Sequence, residues 1–383
     1  MNSIYLDYNA QTPCDSAVIE AMNSVWSTPG NPHSSHHAFG WQKETLINDS
    51  LALIAESYDC FEDDLIFTSG ATEANNFAIY SGLKLAKHIN PLADTILTSQ
   101  LEHKSVLSPL HDAADKYGFH IIYIDITEQG ILDLQDLQKK MLEHRVAWVS
   151  CPATNGVIGT NQPIIEVATI CQHYNAMFHV DASQAGYTDL SCADLEADFL
   201  TMSAHKIYGP SGIGLLYSKH LQNSDFKPLI IGGGQQNGLR AGTLAAPLIV
   251  GMTKAITILE DIKHTEAERL MALKSSLLNG LQKVLPVSVV GDANLRHPGN
   301  LYLIIEGVDS MQLLNNVQPK LAFSLGSACD GLTREYSPLI KAMGISKQRA
   351  ECAFRICTGR LTTKDEIDCA IDLITTEAQK IRH

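Results

Sequence analysis

From Leu65 onward the chain alternates short apolar runs with stretches whose apolar residues recur at helical spacing. Residues 65–70, 95–100, 120–126, 146–152, 177–183, 199–205 and 212–218 read as strands, and residues 71–88, 105–118, 133–142 and 164–174 as helices between them. The strand runs are almost wholly apolar rather than alternating, as expected of parallel strands covered by helices on both faces. In such sheets ligands gather beyond the carboxyl ends of the strands. After about Gly251 the pattern changes. A long helical stretch over residues 253–284 leads to strands near 287–291 and 300–307, a helix over 309–317, and strands over 321–326 and 354–359 with helices between. The expected architecture is a large α/β domain over residues 14–252 and a smaller α+β domain over residues 253–383, with residues 1–13 packing against the smaller one.

Composition narrows the class. A chain of 383 residues suits two domains, and 45% hydrophobic with 18% charged residues is an ordinary globular mix. A net charge of −14 argues against direct, non-specific nucleic-acid binding, which needs a basic surface. No apolar run approaches the length of a membrane span, and the N-terminal MNSIYLDYNA lacks a basic segment followed by an apolar one. Nine scattered cysteines without a CxxC pair suggest neither a disulfide framework nor a metal site. These features point to a cytoplasmic protein with reduced thiols.

Five features fall at strand ends or helix starts. Ser69-Gly70-Ala71-Thr72 opens a helix with small residues, so backbone N–H groups and the Thr72 hydroxyl can reach an anionic phosphate, although Thr also serves as a plain cap. His103 follows a strand, where an imidazole can stack on a flat ring and move protons; a surface histidine is the alternative in a chain with 15 of them. Asp181 ends an apolar strand, where a carboxylate needs a charged partner such as a protonated pyridine nitrogen, or else caps the next turn. Gln184 follows it and can donate to a ring oxygen. Lys206 closes another apolar strand between Ser203 or His205, candidate phosphate ligands, and a Gly209-Pro210 turn. It suits a Schiff base if its pKa is lowered, or is a solvated charge. A glycine-rich run from Gly232 to Thr243 allows close backbone approach, or is a flexible loop.

Together YLDYNAQTP, GNPHSSHHAFG, FTSGATEANNFAI, LEHKSVL, FHVDASQAG, SAHKIYGPSGIG, GGGQQNGLRAGT, SLGSAC and FRICTGRLT resemble the NifS-like cysteine desulfurases of the class V aminotransferase family. These are pyridoxal 5'-phosphate enzymes of fold type I, and the stretches occur in family order over nearly the whole chain. The resemblance implies that Lys206 holds the cofactor covalently, Asp181 contacts the pyridine nitrogen, Gln184 the ring oxygen, and His103 stacks on the ring and shuttles protons. It implies a phosphate site from Gly70, Ala71, Thr72, Ser203 and His205, with Thr243 reaching the phosphate of a partner in a homodimer. Cys329 matches the catalytic cysteine that takes sulfur from L-cysteine as a persulfide, leaving alanine, for delivery to an acceptor protein. Arg355 stands where the family binds the substrate carboxylate.

The chain departs from the family at Thr154-Asn155-Gly156-Val157, where two asparagines and a glutamate are usual. Asn155 is carried over as a cofactor contact; Gly156 and Val157 replace the others. After Cys329 the run Asp330-Gly331-Leu332-Thr333-Arg334 also differs from the small residues of housekeeping members. A specialised sulfur donor follows as an expectation, serving DNA phosphorothioation, tRNA thiolation or iron–sulfur assembly. The alternatives are a selenocysteine lyase or other lyase on the same fold, and a non-catalytic interaction protein.

Overall fold

The computed structural model of the protein describes residues 3–325 and 336–382. A short strand β1 (Ile4–Tyr5) precedes helices α1 (Ser16–Trp26) and α2 (Ala38–Tyr58). Strands and helices then alternate through β2 (Leu65–Thr68), α3 (Ala71–Ile89), β3 (Thr95–Thr98), α4 (Lys104–Tyr117), β4 (His120–Tyr123), α5 (Leu134–Glu143), β5 (Val146–Pro152), α6 (Ile164–Tyr174), β6 (Met177–Asp181), α7 (Cys192–Leu195), β7 (Phe199–Ser203) and β8 (Gly214–Ser218). The last part holds α8 (Ala246–Gln282), β9 (Val287–Val289), β10 (Asn300–Ile305), α9 (Ser310–Val317), β11 (Leu321–Ala322), α10 (Pro338–Ala342), α11 (Lys347–Ala350), β12 (Ala353–Cys357) and α12 (Lys364–Arg382).

Among the described residues, β2 to β8 form a seven-stranded sheet in the order β2-β8-β7-β6-β5-β3-β4. The pairs from β7 across to β4 are parallel, whereas β8 runs antiparallel to both β7 and β2. β2, β3, β5, β6, β7 and β8 are buried at every position, which accounts for their unbroken apolar runs. One face packs around Val149, Phe178, Leu200 and Leu215, the other around Ile96, Trp148, Phe199 and Leu216.

A three-stranded antiparallel sheet, β12-β10-β9, builds the second layer system, with β1 and β11 paired in parallel beside it. Its core gathers Leu303, Phe354, Ile356, Ile367 and Ile374, and takes Ile4 and Leu6 from the N-terminus. Helix α8 is 37 residues long, or about 55 Å, and serves both cores. Ile249, Met252 and Ile256 enter the large core, and Leu273, Leu277 and Leu281 the small one. The helix starts at Ala246, before the 253 expected from periodicity, because Pro247 in its first turn presets a helical φ.

Gly82 of α3 fixes how closely that helix lies on the sheet. A Cβ there would meet Trp148 Cζ3 at 2.5 Å and Phe199 Cζ at 2.9 Å. Gly82→Val is therefore expected to destabilise the fold by about 1–3 kcal/mol through overpacking. The check is thermal unfolding of the two proteins side by side; an unchanged or raised midpoint would mean that Trp148 can give way.

No helix among the described residues is long and apolar enough to cross a membrane. None of their His, Cys, Asp and Glu side chains cluster in threes as a metal would require.

Candidate active site

A cavity of about 490 Å³ opens beyond the carboxyl ends of the central strands. It brings together Gly70, Ala71 and Thr72 after β2, His103 after β3, Asp181 and Gln184 at the end of β6, and Ser203, His205 and Lys206 at the end of β7. These residues lie up to 136 positions apart in the chain (70 to 206), and the parallel strand order alone collects them.

At one end of the cavity stands the N-terminus of α3. Its N-cap is Gly70, at φ 148°, a conformation suited to glycine, and no side chain caps the helix. The N–H groups of the first turn of this 19-residue helix are thus left for an anion. Thr72 lines the same end, with Ser203 Oγ and His205 Nδ1 2.8 Å apart across from it. Burial, then the Lys206 charge, holds the His205 pKa below its usual range. The glycine-rich run is anchored close by. Arg240 pairs with Glu73 at 2.8 and 3.1 Å, and Glu73 accepts the Ser69 N–H at 2.7 Å.

Lys206 occupies the middle of the wall, on a short turn after β7. Its Nζ donates to the carbonyls of Asn9 at 2.5 Å and Ala10 at 2.8 Å. Burial, then the Arg355 charge, brings its pKa down to about 8, so a neutral amine is within reach near physiological pH. Gln184 Nε2 donates to the same Asn9 carbonyl at 2.7 Å. The N-terminal segment therefore forms part of the site as well as joining the small core.

Asp181 closes the far end, buried to 7% exposure. One oxygen accepts the Ser183 N–H and the other accepts Asn75 Nδ2, each at 2.9 Å. No cation pairs with it among the described residues, so a buried carboxylate faces the cavity with hydrogen bonds alone. Behind it runs a second polar chain: Ser150 Oγ contacts Glu102 Oε1 and His179 Nδ1, both at 2.8 Å. Burial, then the Asp181 charge, draws the Glu102 carboxyl well above its usual range, and burial draws the His179 imidazole down to about 4.

Three of the expected residues stand apart from this lining, and a fourth lies outside the described residues. Asn155 turns its amide away from the cavity: Nδ2 donates to the Leu101 carbonyl at 2.7 Å, and Oδ1 accepts the N–H groups of Val157 and Ile158. In this arrangement it shapes the loop, with one of its two Nδ2 hydrogens committed to Leu101. Arg355, on β12, is engaged by Asp7 at 2.6 Å, the Gly156 carbonyl at 2.8 Å and Ser324 Oγ at 3.1 Å, while its Nε is buried without a partner. Thr243 is exposed and does not line the cavity. Cys329 lies outside the described residues. Gly156 lines the cavity, where an added Cβ would make an ordinary contact with Gln184 at 3.5 Å. Sequence reading missed Asp7, Asn9, Asn75 and Ser105, small polar residues whose only signal was their place inside the matching stretches.

The donor set suits pyridoxal 5'-phosphate: an uncapped helix N-terminus and hydroxyls for a phosphate, a depressed lysine for an aldehyde, and a buried unpaired carboxylate for a protonated ring nitrogen. Comparison with known proteins agrees. The model of the aminotransferase class-V family matches residues 4–369. Cysteine desulfurase IscS of Rickettsia felis is 37% identical over 382 residues, covering 99% of this chain and 92% of that protein. A solved structure titled NifS-like protein superposes with a TM-score of 0.88 at 29% identity, covering 98% of this chain and 99% of that one. A structure of SspA in complex with cysteine gives 0.81 at 28% identity, covering 93% and 98%. The large, mostly parallel sheet under helices and the smaller antiparallel domain are the architecture of these NifS-like structures. Enzymes of this kind depend on pyridoxal 5'-phosphate. With the family model spanning almost the whole length and the fold shared end to end, this chain belongs to the class-V aminotransferase family.

Proposed function

We propose that the protein is a cysteine desulfurase that converts L-cysteine to L-alanine and receives the sulfur on Cys329. The observation that carries the reading is Lys206, an amine with a lowered pKa set between an anion cradle and the buried Asp181 carboxylate. The cofactor, when bound, supplies an electron sink that acidifies the substrate's α-carbon. Gly70, Ala71, Thr72, Ser203 and His205 would hold its phosphate, Gln184 its ring oxygen and Asp181 its ring nitrogen. The buried Asp181 charge favours a protonated ring nitrogen. Lys206 would hold the cofactor covalently, and its amine would be the base next to the α-carbon. Arg355 faces Asp7 and Gly156 beside this wall, and binds the substrate carboxylate once Asp7 yields part of its hold.

Cys329 then supplies the nucleophile. Its thiolate bonds to the substrate sulfur as the carbon–sulfur bond breaks, leaving a persulfide that an acceptor protein takes by exchange. The division at residues 252 and 253, a cytoplasmic site of action and a specialised acceptor belong to the same reading. The test is incubation of cofactor-loaded protein with L-cysteine and a thiol reductant. Equimolar alanine and sulfide are expected; alanine from selenocysteine alone would favour a selenocysteine lyase, and no alanine from either would leave an interaction protein.

The same reading makes the protein a homodimer in which Thr243 reaches the partner's phosphate site. Large apolar side chains stand exposed around the α1–α2 side and the glycine-rich run, with Trp26 at 60%, Phe39 at 54%, Trp41 at 53% and Ile231 at 86%. Such a concentration suits a covered surface. Sedimentation equilibrium should give twice the mass of 41.8 kDa. An active monomer at assay concentration would remove this arrangement.

A further inference from the structure

Asn75, Ser105, Asp181 and His103 form one hydrogen-bonded chain along the wall of the cavity. Asn75 is fully buried on α3. Its Nδ2 donates to Asp181 Oδ2 at 2.9 Å and to Ser105 Oγ at 3.0 Å. Ser105 Oγ lies 2.8 Å from His103 Nδ1, and the Ser105 backbone N–H donates to that nitrogen at 3.1 Å. His103 is the N-cap of α4, an unusual role for an imidazole.

The proton directions follow from what each group is able to do. A carboxylate only accepts, so the Asn75 amide must turn its nitrogen to Asp181; the flipped amide would set oxygen against oxygen. That nitrogen has two hydrogens, and the second points at Ser105 Oγ. The hydroxyl, having accepted there, sends its own hydrogen to His103 Nδ1. Nδ1 then faces two donors, Ser105 O–H and Ser105 N–H, and has no room for a proton of its own.

We propose that Asn75 and Ser105 are positioning residues that hold His103 as the neutral tautomer protonated on Nε2, so that it meets the substrate as a donor. Nε2 is the ring nitrogen turned away from α4, on a residue that lines the cavity. A neutral imidazole of this form has no lone pair at Nε2 with which to take the α-proton, so that task falls to Lys206 and His103 gives a proton or hydrogen bond. Protonating Nδ1 would turn the Ser105 hydroxyl back onto the Asn75 N–H, which disfavours the imidazolium. Burial acts in the same sense, followed by the Asp181 charge in the opposite sense and by Lys206 and Lys104 against it; the sum draws the His103 pKa below its usual value.

The inference rests on the reading of His103 as the ring-facing group of a desulfurase, but its test reads the imidazole itself. Holoenzyme carrying 15N-histidine is titrated by NMR, the His103 signals being assigned by their loss in His103→Gln. The expected result is a bare Nδ1, a protonated Nε2 and a midpoint below the usual imidazole value. In Ser105→Ala the backbone N–H still faces Nδ1 but the hydroxyl donor is gone, so the neutral ring is less favoured and the midpoint should rise by about half to one pH unit, the size of one hydrogen bond. Ser105→Thr, which keeps the hydroxyl, should titrate as wild type. A protonated Nδ1 in the wild type, or an unchanged midpoint in Ser105→Ala, would overturn the proposal. Because the ring signals are read whether or not sulfur is released, failure of the tautomer and failure of the desulfurase reading give different results.

Discussion

Lys206→Ala is expected to yield a folded protein without covalently held cofactor, without its visible absorbance, and with desulfurase activity at background. Two losses combine. The amine that fixes the cofactor disappears, and so does the base beside the α-carbon, a role that alone supplies about 10²–10⁴-fold. The fold should survive, because among the described residues Lys206 Nζ hydrogen-bonds only the Asn9 and Ala10 carbonyls, while the turn around it is set by the Thr12 hydroxyl, which bonds His205 and Tyr208. In the wild type, capture of added pyridoxal 5'-phosphate by cofactor-free protein should speed up as pH rises through about 8. The sign follows from burial lowering the lysine pKa to that value, with the neutral amine as the reactive form. An absorbing variant, or capture that is flat between pH 6 and 9, would show that another lysine holds the cofactor.

Cys329→Ser should separate cofactor binding from sulfur transfer. Lys206, Asp181 and Gln184 stand on the strand ends of the large sheet and do not depend on residue 329, so the variant should keep the visible spectrum. L-Cysteine should still enter and change that spectrum, because Arg355 remains to take the carboxylate. The reaction should then stall, since a serine hydroxyl is far less acidic than a thiol near 8.5 and attacks sulfur poorly. Sulfide and alanine release are both expected to drop to background. Normal turnover would mean that another group receives the sulfur. Cys352, half-buried on the small domain, is then the first alternative to examine, ahead of the fully buried Cys357.

How far the sequence carries this account depends on the kind of element. The strand–helix alternation from Leu65 to Ser218 is visible because every strand but the edge strand β4 is buried throughout and each helix has a solvent face. The direction of β8 is not, since a strand covered on both faces looks apolar whichever way it runs. Helices α1 and α2 stay unassigned because Ile19, Trp26, Phe39, Trp41, Leu46 and Leu53 are exposed apolar residues, which blur the amphipathic stripe. In the site, Lys206, Asp181 and His103 are legible as ionisable residues at strand ends. Asn75 is not: its importance arises where α3 crosses β6, 106 positions away in sequence. Asp7 and Asn9 are similar, because nothing local says that the N-terminus folds back over the lysine. Asn155, placed by resemblance, also braces the loop backbone with its amide, a second role that the sequence does not announce.

The central claim, that sulfur leaves L-cysteine for Cys329, has one direct measurement. Cofactor-loaded protein is given a limiting amount of L-cysteine without reductant, alkylated, digested and weighed peptide by peptide. The account predicts one added sulfur atom on the peptide containing Cys329, matched by an equal amount of alanine and absent in Lys206→Ala. Alanine formed with the extra sulfur on any other cysteine, or with none on the protein, would contradict it.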